Sequence, residues 1–132
     1  MSDRLDELIR DRLSADGQVL NLKAQFIREV GAKALAQKEE LRNLRSLDLT
    51  QNDIGDEGVK AIAESEIFSN LRSLNLKSNR IGDEGAEYLA NSKTLKKLRS
   101  MQLVVNDLSE EGEKILRNST ALVSLSSLKF RV

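Results

Sequence analysis

The residues of this chain best able to do chemistry are carboxylates, and they come as stacked pairs: Asp56-Glu57, Asp83-Glu84 and Glu110-Glu111, each 27 residues after the last. Paired acids can hold a divalent cation or meet a basic partner. The same pairs fall at the expected starts of helices, where the macrodipole favours negative charge by about 0.3 to 1 kcal/mol, and that structural use comes first. Little else is available. The chain has no histidine and no cysteine, so a Ser-His-Asp triad, a histidine general acid, a thiolate nucleophile and most zinc sites cannot be assembled. We therefore expect no enzyme activity, no catalytic residue, no metal site and no cofactor.

The elements that position these carboxylates follow from the period. Leu20, Leu47, Leu74, Met101 and Leu128 are 27 apart, and so are Leu22, Leu49, Leu76, Leu103 and Phe130. The same step carries three further apolar columns: Leu44, Leu71, Leu98, Leu125; Leu41, Phe68, Leu95, Leu122; and Ile27, Ile54, Ile81, Leu108. Asn52, Asn79 and Asn106 form a polar column, and Gly31, Gly58, Gly85 and Gly112 another. A fixed period of this length is the signature of a stacked-repeat architecture.

The stretches NLRSLDLTQNDIGDEGVKAIA and NLRSLNLKSNRIGDEGAEYLA resemble the ribonuclease-inhibitor type of leucine-rich repeat. The motif L-x-x-L-x-L-x-x-N is matched at Leu44 to Asn52 and Leu71 to Asn79, more loosely at Leu98 to Asn106, and it is degenerate in the first copy, with Gly17 and Gln25 at the outer positions. The resemblance covers roughly residues 17 to 132 and implies an α/β solenoid. That is a short right-handed superhelix with a parallel sheet on its concave side and helices on its convex side, built from about four 27-residue repeats plus a terminal strand.

The residues support the same picture independently. Alternation around Leu-x-Leu is that of a strand with one buried face. Asp56 to Ala63 has Val59, Ile62 and Ala63 on one side at helical spacing, after a Gly-Asp boundary able to cap a helix start. One domain over 1–132 is expected: an amphipathic capping helix in 1–16 with Leu5, Leu8, Ile9 and Leu13 on its apolar stripe, repeats at 17–43, 44–70, 71–97 and 98–124, and a terminal strand at 125–132. The 21 basic and 21 acidic residues cancel, which disfavours nucleic acid as a partner. The charged amino terminus and the lack of a long apolar run lead us to expect a cytoplasmic protein with no membrane contact.

Function is sought where repetition fails. A serine column, Ser46, Ser73, Ser100 and Ser127, keeps part of the sheet's solvent side uniform. Beside it Asp48, Asn75, Gln102 and Lys129 differ at every step, as do Thr50, Lys77, Val104 and Arg131, and Val104-Val105 replaces the polar Lys77-Ser78. These nine residues, Asp48, Thr50, Asn75, Lys77, Gln102, Val104, Val105, Lys129 and Arg131, are the expected contact surface for a protein partner. The rows of acids and of arginines (Arg45, Arg72, Arg99, with Lys93, Lys96 and Lys97) are expected to form oppositely charged rims matching the two ends of the helices. The alternatives are a homodimer joined through the uncapped carboxyl-terminal strand, and regulation of a small GTPase, which the resemblance to Ran GTPase-activating proteins implies.

Overall fold

The computed structural model describes residues 2–132, with side chains from residue 4; Met1, the first residue of the expected cap, lies outside the described residues. The elements are α1 (Ser2–Arg12), β1 (Val19–Asn21), α2 (Arg28–Leu35), β2 (Ser46–Asp48), α3 (Gly55–Ala63), β3 (Ser73–Asn75), α4 (Asp83–Ala90), β4 (Ser100–Gln102), α5 (Glu110–Arg117) and β5 (Ser127–Lys129). Short 3-10 turns at Glu39–Leu41 and Glu66–Phe68 lead back to two of the strands.

The strands form one open parallel sheet in the order β1-β2-β3-β4-β5. Its register follows the leucine column: Leu20 pairs with Leu47, Leu47 with Leu74, Leu74 with Met101 and Met101 with Leu128. Consecutive helices α2 to α5 pack each on the next. Each strand is three residues long and carries one inward apolar side chain (Leu20, Leu47, Leu74, Met101 or Leu128), with a second just past its end before a polar turn, so no single coil of chain buries its own apolar side. Leu47, Leu49, Leu74 and Leu76 reach burial only in one cluster with Val59, Ile62, Ala86 and Leu89 of the helices. This is the α/β leucine-rich-repeat solenoid. At the amino end, α1 lays Leu5 and Ile9 on the core, with Leu8 and Leu13 partly buried beside them.

The asparagine column holds the coils together. Asn79 donates from Nδ2 to the carbonyls of Leu49 (2.8 Å) and Lys77 (3.1 Å), while its Oδ1 accepts from the backbone N–H groups of Asn52 (3.0 Å) and Ile54 (3.2 Å). Asn52 serves Gln25 and Ile27 in the same way, and Asn106 serves Asn79 and Ile81. Each asparagine thus closes the turn of the preceding repeat, supplying buried backbone groups that lie beyond the strand ladder.

The paired acids fall in the first turns of α3, α4 and α5 as expected, but the Gly-Asp boundary does not cap α3. Asp56 does not cap its own helix, whose preceding residue Ile54 is already helical and offers no side-chain bond. Its Oδ1 instead accepts from the backbone N–H of Gly82 (2.7 Å) in the next repeat, and Asp83 likewise accepts from Ser109 N (3.0 Å) and Oγ. At the opposite ends, Ser65, Ser92 and Ser119 each donate at 2.6 Å to the carbonyls of Ala36, Ala63 and Ala90. Serines, not the arginine row, satisfy the last turns of the helices. The glycine column allows close helix packing: a Cβ on Gly85 would lie 2.6 Å from Ile81 Cγ2 and 2.7 Å from Asp56 Oδ1.

Candidate functional site

The register sets Asp48, Asn75, Gln102 and Lys129 side by side on the sheet's solvent side, with the serines beside them. These residues share one surface, but two of them also have a local duty. Asp48 Oδ1 accepts from Thr50 N (2.9 Å) and Thr50 Oγ1 (2.6 Å), and Asn75 Oδ1 accepts from Lys77 N (3.0 Å). Asn21 does the same for Lys23 N at 2.9 Å. The bond steers the backbone out of the strand and needs an oxygen on a short side chain. Gln102 and Lys129 have none to offer, and Lys77, Gln102 and Lys129 enter no salt bridge or side-chain hydrogen bond among the described residues.

Four of the nine expected contact residues sit differently. Thr50 is only 7% exposed, its hydroxyl turned onto Asp48. Val104 is 4% exposed without joining the main apolar cluster, so the Val104-Val105 pair is split, with Val105 64% exposed. Val105 leaves the sheet face because its φ is +57°, a left-handed conformation that breaks the alternation of a strand. Arg131 reaches α5, pairing with Glu113 at 2.7 Å. Arg117 meets the same carboxylate at 3.3 Å and covers the Phe130 ring at 5.0 Å from its centroid. The last residues are therefore tied to α5, and of the remaining members of the surface Lys129 is exposed while Asp48, Asn75, Lys77 and Gln102 are half-buried, as are Ser46, Ser73 and Ser100.

The turns after the strands carry a feature absent from the leucine pattern. Ala24, Phe26, Arg28, Gln51, Asp53, Ser78 and Arg80 all have positive φ, and together they line a groove of about 370 Å³. Phe26 is exposed there, with the Arg28 guanidinium 5.8 Å from its ring centroid. The sequence signal was a large apolar residue in a column whose other members are Asp53, Arg80 and Asp107.

Among the described residues no group of three or more acidic side chains is placed to hold a metal ion. Asp83 is held below the usual carboxylate range, first by the Ser109 hydroxyl and then by the Ser109 backbone N–H, and Asp16 by Ser14 and Gln18. Both shifts have structural causes. No described helix is long and apolar enough to cross a membrane.

The sequence model of the family described as Leucine Rich repeat matches residues 40–63 and 69–90. No curated protein matches the chain. The two matched segments span β2 with α3 and β3 with α4, and the same strand register and helix stacking continue on both sides of them. Residues 40–63 and 69–90 are leucine-rich repeats, and the solenoid they form is continued by the rest of the sheet.

Proposed function

We propose that the protein is a non-enzymatic interaction module, cytoplasmic, that holds a partner protein against the solvent side of its sheet, and that its repeats are of the ribonuclease-inhibitor type. Leucine-rich repeats are in general protein-interaction modules, which supports a binding role. The observation that carries the sheet-face reading is the column Asp48, Asn75, Gln102 and Lys129. Four different side chains stand in register beside a row of identical serines, on a frame whose leucine, asparagine and glycine columns barely change. A rigid frame presenting varied polar groups suits selective contact. Lys77 completes the patch, with Thr50 and Val104 buried beneath it. The test is affinity capture followed by titration of the captured partner with wild type and with the charge-swapped variant Asp48→Lys, Lys77→Glu. Loss of affinity by the variant, with an unchanged circular dichroism spectrum, is the expected result. Equal affinity would remove the sheet face from the reading.

A second reading is self-association through β5. It is favoured by the partial burial of Leu125, Leu128 and Phe130, whose counterparts Leu98, Met101 and Leu103 are fully packed one repeat earlier. Light scattering over a concentration series decides it, and a monomer at the highest concentration excludes it.

A further inference from the structure

The edge of the sheet at which the strands begin carries Arg45, Arg72 and Arg99, one per repeat and each immediately before its strand. Their backbones are fully used: the carbonyl of Arg45 accepts from Arg72 N and Ser73 N, and that of Arg72 from Arg99 N and Ser100 N. Their side chains are not. None of the three guanidinium groups enters a salt bridge or a side-chain hydrogen bond among the described residues. The structural use that the helix ends offered them is already filled by Ser65, Ser92 and Ser119. Strand neighbours lie about 4.8 Å apart, and like charges set opposite one another across a ladder lower stability. Three cations are thus stacked with no ion pair among the described residues, Arg45 feeling only the longer-range attraction of Asp16.

Beside them the surface is concave. A groove of about 220 Å³ is lined by Arg45, Arg72 and Lys97 together with Gln18, Asn43 and Asn70, and its one acid is Asp16. Asp16 Oδ1 is occupied by Ser14 Oγ (2.7 Å) and Gln18 N (3.0 Å). Lys97 Nζ donates to Asn70 Oδ1 at 3.0 Å, so that cation is fixed in the wall. The side-chain amides of Gln18 and Asn43 make no hydrogen bond among the described residues.

We propose that this arginine row docks an acidic segment of a partner protein. Each guanidinium can grip a carboxylate through two parallel hydrogen bonds, a geometry lysine cannot reproduce. The amides of Gln18 and Asn43 are positioned to meet the segment's backbone, and binding removes the repulsion along the row. The molecule as a whole favours a short acidic peptide over a nucleic acid: the cations form one row of three, and there is no net charge to draw in a long phosphate chain. The proposal rests on the protein being a binding module and not on the sheet face being the contact.

The probes are a short oligoglutamate peptide carrying a fluorophore and a labelled single-stranded oligodeoxythymidylate, titrated by anisotropy against the full chain. Oligoglutamate should bind saturably and more weakly as salt rises. Arg72→Ala should weaken it about threefold, and alanine at Arg45, Arg72 and Arg99 together about thirtyfold, the scale of independent exposed ion pairs. Lysine at all three positions should fall between. Arg28→Ala with Arg80→Ala, on the opposite edge, should leave binding unchanged, as should Asp48→Lys with Lys77→Glu, which separates this proposal from the sheet-face reading. Thermal unfolding of the triple alanine variant should be unchanged or shifted upward, since repulsion is removed. The proposal is overturned by the absence of saturable oligoglutamate binding, by equal weakening in the opposite-edge variant, or by tighter binding of the oligodeoxythymidylate.

Discussion

Asn79 is buried and its side-chain amide joins two repeats through four hydrogen bonds, three of them to groups of the preceding repeat. Replacing it by alanine strands those backbone groups, and we expect a loss of about 2 to 3 kcal/mol in denaturant unfolding. The location of the damage is more telling than its size. Amide exchange should accelerate at Asn52 and Ile54, which lose their acceptor, while Asn79 N keeps its bond to Asn106 Oδ1. Val105 invites the opposite change, because a β-branched residue at φ +57° is strained and its side chain is mostly in water. Val105→Asn should stabilise by about 1 kcal/mol, read as a rise in the denaturant midpoint; a fall would show that the valine packs against something it needs. At this scale the asparagine and leucine columns were legible in the sequence because identity recurs at each step. The positions of Val105 and Arg131 were not. One leaves the face through a left-handed backbone that periodicity does not encode, and the other is drawn to Glu113, a partner 18 residues away in another element.

Helix-to-helix spacing is set by the glycine column. Alanine normally favours a helix over glycine by about 1 kcal/mol, yet at Gly85 the added methyl meets Ile81 and Asp56 at less than ordinary contact distance. We expect Gly85→Ala to destabilise by about 1 to 3 kcal/mol, since overpacking outweighs propensity, and thermal unfolding measures it. The start of α5 should respond to pH. Asp83 is depressed by Ser109, so its contribution is complete above the ordinary carboxylate range and disappears as pH falls through the lowered value. An acid titration of stability should therefore show a smaller dependence in Ser109→Ala than in wild type. The helices themselves were readable from their apolar spacing, and α3 begins one residue before the expected Asp56. How they are tied together was less so. Ser65, Ser92 and Ser119 recur at the repeat step, but a serine after a helix reads equally as a loop residue until its acceptor one repeat back is in view.

The molecule as a whole is small for the binding role proposed. Its accessible surface is 7122 Å² at 14.7 kDa, near the value of about 6,900 Å² for a compact protein of that mass, so it lacks the extra surface that long arrays offer. Five strands give a sheet about 19 Å across. That is narrow against a standard interface of about 800 Å² per partner, and the sheet face alone should bind with micromolar affinity as a monomer. A calorimetric titration showing a nanomolar one-to-one complex confined to that face would contradict this. Partners that also engage the strand edges gain area, and with it residence time. The asparagine column has one more consequence, for biosynthesis. Because the turn of each repeat is finished by a side chain 27 residues downstream, as Asn79 finishes that of Asn52, a nascent chain leaving the ribosome amino end first holds its newest coil open. At ordinary translation speeds that coil waits about one to five seconds for the residue that locks it.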